Sequence, residues 1–99
     1  MKTIEYLNAA KKHLGVESDY ALAKRLGVTK QAIGAAMSGK STLSDETAVK
    51  VAQALGIHAG LVLLDMHRER AHTPELAGFW NEIAKGFLTL LLPAKRTLA

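Results

Sequence analysis

Two short helical patterns joined at one glycine constrain this chain more than any other feature. They run through Asp19-Tyr-Ala-Leu-Ala-Lys-Arg-Leu-Gly-Val-Thr-Lys-Gln-Ala-Ile-Gly-Ala-Ala-Met-Ser38. Leu22 and Leu26 recur at helical spacing before Gly27, and Ile33 and Met37 do so after it. Ala23 is small enough for two helices to cross closely beside it. Gly27 tolerates the positive φ of a tight turn, and Val28 plugs the core from that turn. Ser18 and Thr29 stand where helix N-caps are needed. With Ile33 and Met37 turned inward, the second helix keeps an outward face of Thr29, Lys30, Gln31, Gly34, Ala35 and Ser38.

The helical period continues along the rest of the chain, and no strand pattern interrupts it. A first helix is expected over Thr3–His13, with Ile4, Leu7, Ala10 and Leu14 as its apolar stripe and Gly15 as its stop. The paired helices cover Asp19–Leu26 and Lys30–Ser38, and a loop follows at Gly39-Lys40-Ser41-Thr42. A fourth helix spans Asp45–Leu55, capped by Ser44 and stopped by Gly56, with the stripe Ala48, Val51, Ala52 and Leu55. Its first acids, Asp45 and Glu46, suit the positive end of a helix dipole. A fifth helix covers His58–Ala71. A sixth opens at Thr73-Pro74-Glu75, a cap followed by proline in the first turn, and runs to Leu91, with Pro93 beyond it. The fold class is therefore all-α: five helices in one unit over residues 1–72, a further helix at 73–92, and a tail at 93–99 that is expected to fray.

Ninety-nine residues make one domain, and 48% hydrophobic composition supports a small core. The absence of cysteine excludes disulfides and cysteine-ligated zinc and suits a reducing cytoplasm. The start, Met1-Lys-Thr-Ile-Glu-Tyr6, is amphipathic and unlike a signal peptide. The longest uncharged run, Val51 to Leu64, falls short of the ~18–20 apolar residues of a membrane span. A soluble cytoplasmic protein with no membrane role is expected.

The net charge is +4, and its placement is uneven. Lys2, Lys11, Lys12, Lys24, Arg25, Lys30 and Lys40 against Glu5, Glu17 and Asp19 give residues 1–44 the whole excess of +4. Residues 45–72 carry −1 and residues 73–99 carry +1. The half that holds the helical hairpin is the half suited to a polyanion.

Catalytic and metal chemistry find little support. His67 and His72 are five apart and do not share the i, i+4 face of a helical zinc site. Asp65, Glu69 and His72 do share a face, and Glu69-Arg-Ala-His72 has the Glu-x-x-His spacing of carboxylate-bridged metal sites. Such sites need a second motif of the same kind, and the chain has none. A solvated face is the expectation for these three residues. Neither a nucleophile context nor a glycine-rich phosphate loop is present, so no enzyme activity, cofactor, metal or small-molecule ligand is implied.

The segment Leu22-Ala23-Lys24-Arg25-Leu26-Gly27-Val28-Thr29, followed by Ile33 and Gly39 and later by Leu55-Gly56-Ile57, resembles the Cro/CI-type helix-turn-helix repressors of the lambda-repressor-like fold. The resemblance covers roughly residues 3–70, and the chain looks like a small phage or prophage regulator. It implies double-stranded DNA as partner, with the third helix in the major groove. Base-reading candidates are Thr29, Lys30, Gln31, Gly34 and Ala35. Gln bonds adenine bidentately, Lys bonds guanine, and Thr or Ala methyls touch thymine. Phosphate candidates are Tyr20, Ser38, Gly39, Lys40, Ser41, Thr42 and Ser44. Two departures stand out. Asp19 occupies a position where the family often has a phosphate-contacting Gln, and Gly34-Ala35-Ala36 leaves the reading face short of polar groups.

Leu76, Phe79, Trp80, Ile83, Phe87 and Leu91 form one stripe at helical spacing on the sixth helix. One reading packs it on the fifth helix over Leu61, Leu64 or Met66. The other makes it a dimer interface anchored by Trp80, since the five-helix unit is complete without it and the run Phe87-Leu-Thr-Leu-Leu-Leu92 is too apolar to stand free. The expected function is a dimeric, sequence-specific transcriptional repressor at a palindromic operator. An antitoxin-type protein, whose last helix binds a toxin, is the alternative.

Overall fold

The computed structural model describes residues 1–91; the tail expected at 93–99 and the stop at Pro93 lie outside the described residues. The elements are α1 (Thr3–Leu14), α2 (Asp19–Leu26), α3 (Lys30–Met37), α4 (Asp45–Leu55), α5 (Ala59–Arg70) and α6 (Pro74–Leu91). All six helices are α-helices, and the described residues contain no strand. No helix among them is long and apolar enough to cross a membrane.

Local chemistry sets these boundaries. Ser18, Thr29 and Ser44 cap α2, α3 and α4 by accepting from the backbone N–H groups of Ala21 (3.0 Å), Ala32 (3.1 Å) and Thr47 (3.2 Å). Thr73 accepts from the Leu76 N–H at 3.1 Å. Gly15 and Gly56 end α1 and α4 in the left-handed region. His58 is the N-cap of α5 rather than its first residue, its Nδ1 accepting from the Gly60 N–H at 2.9 Å.

The first five helices enclose one core. Tyr6, Leu7 and Ala10 of α1 meet Leu22, Ala23 and Leu26 of α2, Ile33 and Ala36 of α3, Val51 and Ala52 of α4, and Val62 and Met66 of α5. Leu43, from the loop before α4, is also buried there. Each large aliphatic side chain taken from water contributes about 1.5–3 kcal/mol. Leu7, Leu22, Ile33 and Met66 are completely enclosed.

Two sequence expectations are corrected here. The inward face of α1 is Thr3, Tyr6, Leu7 and Ala10, and Ile4 is 40% exposed. The helix is rotated because α5 satisfies the polar atoms that this rotation buries. The Thr3 N–H donates to Glu69 Oε1 at 2.8 Å, and the Thr3 hydroxyl lies 3.0 Å from Glu69 Oε2. The Tyr6 hydroxyl donates to Asp65. Burial, and then this hydrogen bond to a carboxylate, push the Tyr6 phenol well above its ordinary range. Asp65 and Glu69 are therefore not a solvated face. They fasten the first turn of α1 to α5, where the carboxylate of Glu69 also meets the positive helix end. His72 alone of the three is exposed.

The sixth helix stands apart from this core. It packs on α5, and its one buried residue is Ala84. Arg68 Nε donates to Asn81 Oδ1 at 3.0 Å and ties the two helices together on one edge.

Candidate nucleic-acid interface

The α2–α3 hairpin is built as the residue types require. Gly27 has φ 73°, and the Val28 N–H returns to the Ala23 carbonyl at 3.0 Å, closing α2. Ala23 is buried, so the helices cross where the side chain is smallest. From α4, Lys50 Nζ donates to the Gly27 carbonyl at 3.0 Å and braces the turn from behind. The sequence reading missed this contact, because nothing local to Lys50 announces a carbonyl 23 residues away.

Helix α3 turns Ile33 and Ala36 inward and leaves its other face open. Lys30, Gln31, Gly34, Ala35, Ser38 and Lys40 line one open depression of about 540 Å³. Four of the five base-reading candidates are thus gathered with two of the phosphate candidates. Thr29 lies outside this lining; its oxygen accepts the Ala32 N–H as the α3 cap, which leaves its hydroxyl proton and its methyl available. Tyr20 is 61% exposed on α2.

The loop after α3 is more committed to the protein than its sequence suggests. The Gly39 N–H returns to the Ala36 carbonyl (3.2 Å), and the Lys40 and Ser41 N–H groups return to Ala35 (2.9 and 3.4 Å). Gly39 has φ 81°, the conformation that folds this turn back on α3. What the loop offers outward is side chains: the Lys40 ammonium and the Ser41 hydroxyl are exposed, whereas Thr42 is half-buried. The Ser38 hydroxyl donates to the Ala35 carbonyl at 3.1 Å. The Ser44 hydroxyl is engaged with Thr47, accepting from its N–H and meeting its Oγ1 at 3.1 Å.

The two departures in the sequence acquire physical meaning. Asp19 is paired with Lys11 of α1, Nζ to Oδ1 at 2.7 Å, so its charge is compensated from within the protein. Gly34 has a helical φ, and a Cβ built on it would meet nothing within 4 Å. The fold does not demand glycine there.

A sequence profile described as helix-turn-helix matches residues 7–62, from α1 into α5. The chain belongs to the Cro/CI-type helix-turn-helix family. It is accordingly a DNA-binding regulator. It is also similar to "Uncharacterized protein Gp-c" of Pseudoalteromonas phage PM2, at 34% identity over 85 residues, covering 81% of this chain and 91% of that one. That share exceeds what residues 1–72 hold, so the likeness extends into α6. No solved structure gives a significant match.

Proposed function

We propose that this chain is a phage or prophage transcriptional repressor that binds a palindromic operator as a dimer. In this reading Thr29, Lys30, Gln31, Gly34 and Ala35 face base edges in the major groove. Tyr20, Ser38, Gly39, Lys40, Ser41, Thr42 and Ser44 lie along the phosphates, with Lys40 supplying the main charge. Repression follows from occupying a promoter.

The observation that carries the proposal is Gly34. A glycine within an eight-residue helix costs about 1 kcal/mol relative to alanine, and neither crowding nor backbone geometry within the protein accounts for it. It lies on the outward face between Lys30 and Ser38, where a missing Cβ lets the helix backbone approach a large external surface. The surrounding Lys30, Gln31 and Lys40 give that surface the chemistry of DNA. With few hydrogen-bonding side chains on α3, discrimination leans on Lys30, Gln31, methyl contacts and duplex shape.

Selection from a random duplex pool tests the reading. The expected product is a pair of inverted half-sites whose centres lie about 34 Å apart along the duplex. Failure to enrich any sequence, or enrichment of an unrepeated site bound by one chain, would overturn it.

A further inference from the structure

The exposed apolar surface of the described residues is concentrated on α6. Leu76, Phe79, Ile83 and Leu90 are 45%, 53%, 50% and 76% exposed, and Leu88 and Leu91 add to them. The apolar arc of this helix is wider than the strip that α5 covers. On the covered side, Trp80 stacks on His67 with ring centroids 4.6 Å apart, and Phe87 lies edge-on to His58 at 5.2 Å. Phe87 also presses on Gly60, where an added Cβ would come within 2.5 Å of its ring. The six-residue stripe of the sequence therefore divides. Trp80 and Phe87 turn toward α5, Leu76 and Phe79 turn away from it, and Ile83 stands half-exposed at the boundary, on the edge of the space between the two helices.

The outward set has its own period. Leu76, Phe79, Ile83, Gly86 and Leu90 follow the alternating three-and-four spacing of a seam between paired helices. Next to it, an open apolar groove of about 370 Å³ runs between α5 and α6, lined by Leu63, Leu64, His67, Trp80, Ile83 and Phe87. One surface thus carries both protruding side chains and a depression.

We infer that this seam and groove receive a second copy of the same chain, with the two α6 helices antiparallel about a twofold axis near Ile83. The inference rests on the dimeric reading above and assigns it a surface. An antiparallel pairing centred on Ile83 sets that residue against itself, Leu76 against Leu90 of the second copy, and Phe79 toward the open space at Gly86, where a Cβ would meet nothing within 4 Å. The self-complementarity of one patch is what a twofold interface requires. At the exposures given, the seam side chains offer on the order of 500 Å², and the groove walls bring this toward the about 800 Å² per partner of a stable interface. The position fits as well. His67, on the groove wall, lies 3.7 Å from Asp45, the first residue of α4, directly after the Lys40–Ser44 loop. The groove therefore adjoins the start of α4, which follows the loop that carries Lys40. Glu75, Glu82 and Thr89, each one residue before a seam position, and Lys85 are exposed to solvent.

The absence of cysteine allows a direct test. Ile83→Cys should yield a covalent dimer on mild oxidation, and Lys85→Cys should not. Leu76→Cys and Leu90→Cys chains, mixed, should cross-link to each other in preference to themselves. Ile83→Glu alters an exposed side chain, so it should keep the wild-type circular dichroism while light scattering shows the mass halved. A wild-type dimer that survives Ile83→Glu, with no cross-link through Ile83→Cys, overturns this surface and leaves the dimeric reading standing. Self-linking of Leu76→Cys in preference to the mixed pair overturns the antiparallel arrangement. A wild-type chain that is monomeric both free and on its selected DNA overturns both.

Discussion

Lys11 holds Asp19 across the α1–α2 corner, ammonium to carboxylate at 2.7 Å, and so removes the charge that would most disturb docking at the start of α2. Lys11→Met leaves that carboxylate unpaired. Affinity for every duplex should then fall by about 1 kcal/mol, roughly fivefold, and adding Asp19→Asn should recover most of it. Fluorescence anisotropy on specific and scrambled duplexes measures both. The pair is partly solvated, so its own contribution to stability is about 0.5–1 kcal/mol. A loss confined to one sequence, or no recovery in the double variant, would contradict this role.

Gly34→Ala separates stability from function. With open space around the new methyl, the substitution should raise stability by about 1 kcal/mol, read as a higher urea midpoint. DNA affinity should fall at least tenfold, about 1.4 kcal/mol, because the methyl stands off the groove. A stabilised variant with unchanged affinity would mean that the backbone of α3 does not approach the duplex at Gly34.

Gln31→Ala and Lys40→Ala should differ in kind. Loss of a bidentate base contact costs about 1–3 kcal/mol and relaxes the preference at one base pair. Loss of a phosphate contact weakens all sequences alike and reduces the magnitude of the salt slope by about one. Binding titrations across salt concentration, repeated on single-base operator variants, tell the two apart. An exchange of these phenotypes would reverse the assigned roles.

What could be read from the sequence was mostly local. The caps at Ser18, Thr29, Ser44 and Thr73 and the glycines at 15, 27 and 56 satisfy or terminate helices through neighbours only a few residues away, so helix boundaries emerged to within about a residue. The outward face of α3 followed from setting Ile33 inward. Contacts spanning the chain were hidden. Thr3 and Tyr6 look unsuited to a core until Glu69 and Asp65, some sixty residues on, supply their partners. The loop after α3 likewise gives no sign in its sequence that the N–H groups of Gly39, Lys40 and Ser41 return to α3. The stripe on α6 read as one surface, because periodicity places side chains on an arc and cannot say how much of that arc a neighbour will cover.

The Tyr6–Asp65 hydrogen bond makes stability depend on pH at the alkaline end. The folded phenol is raised well above the about 10 of an unfolded tyrosine, with burial as the larger cause and Asp65 as the second. Below pH ~10 both states keep the proton and the contribution is fully present. Above it, the unfolded chain releases the proton while the folded chain retains it, so stability falls by up to about 1.4 kcal/mol per pH unit from this group. The comparison with Tyr6→Phe isolates the effect. That variant should lose about 1–3 kcal/mol at neutral pH, since Asp65 loses a donor in a half-buried setting. Its urea midpoint should then decline less steeply than wild type between pH 10 and 11. Parallel declines for the two proteins would show that the Tyr6 proton is not held by the fold.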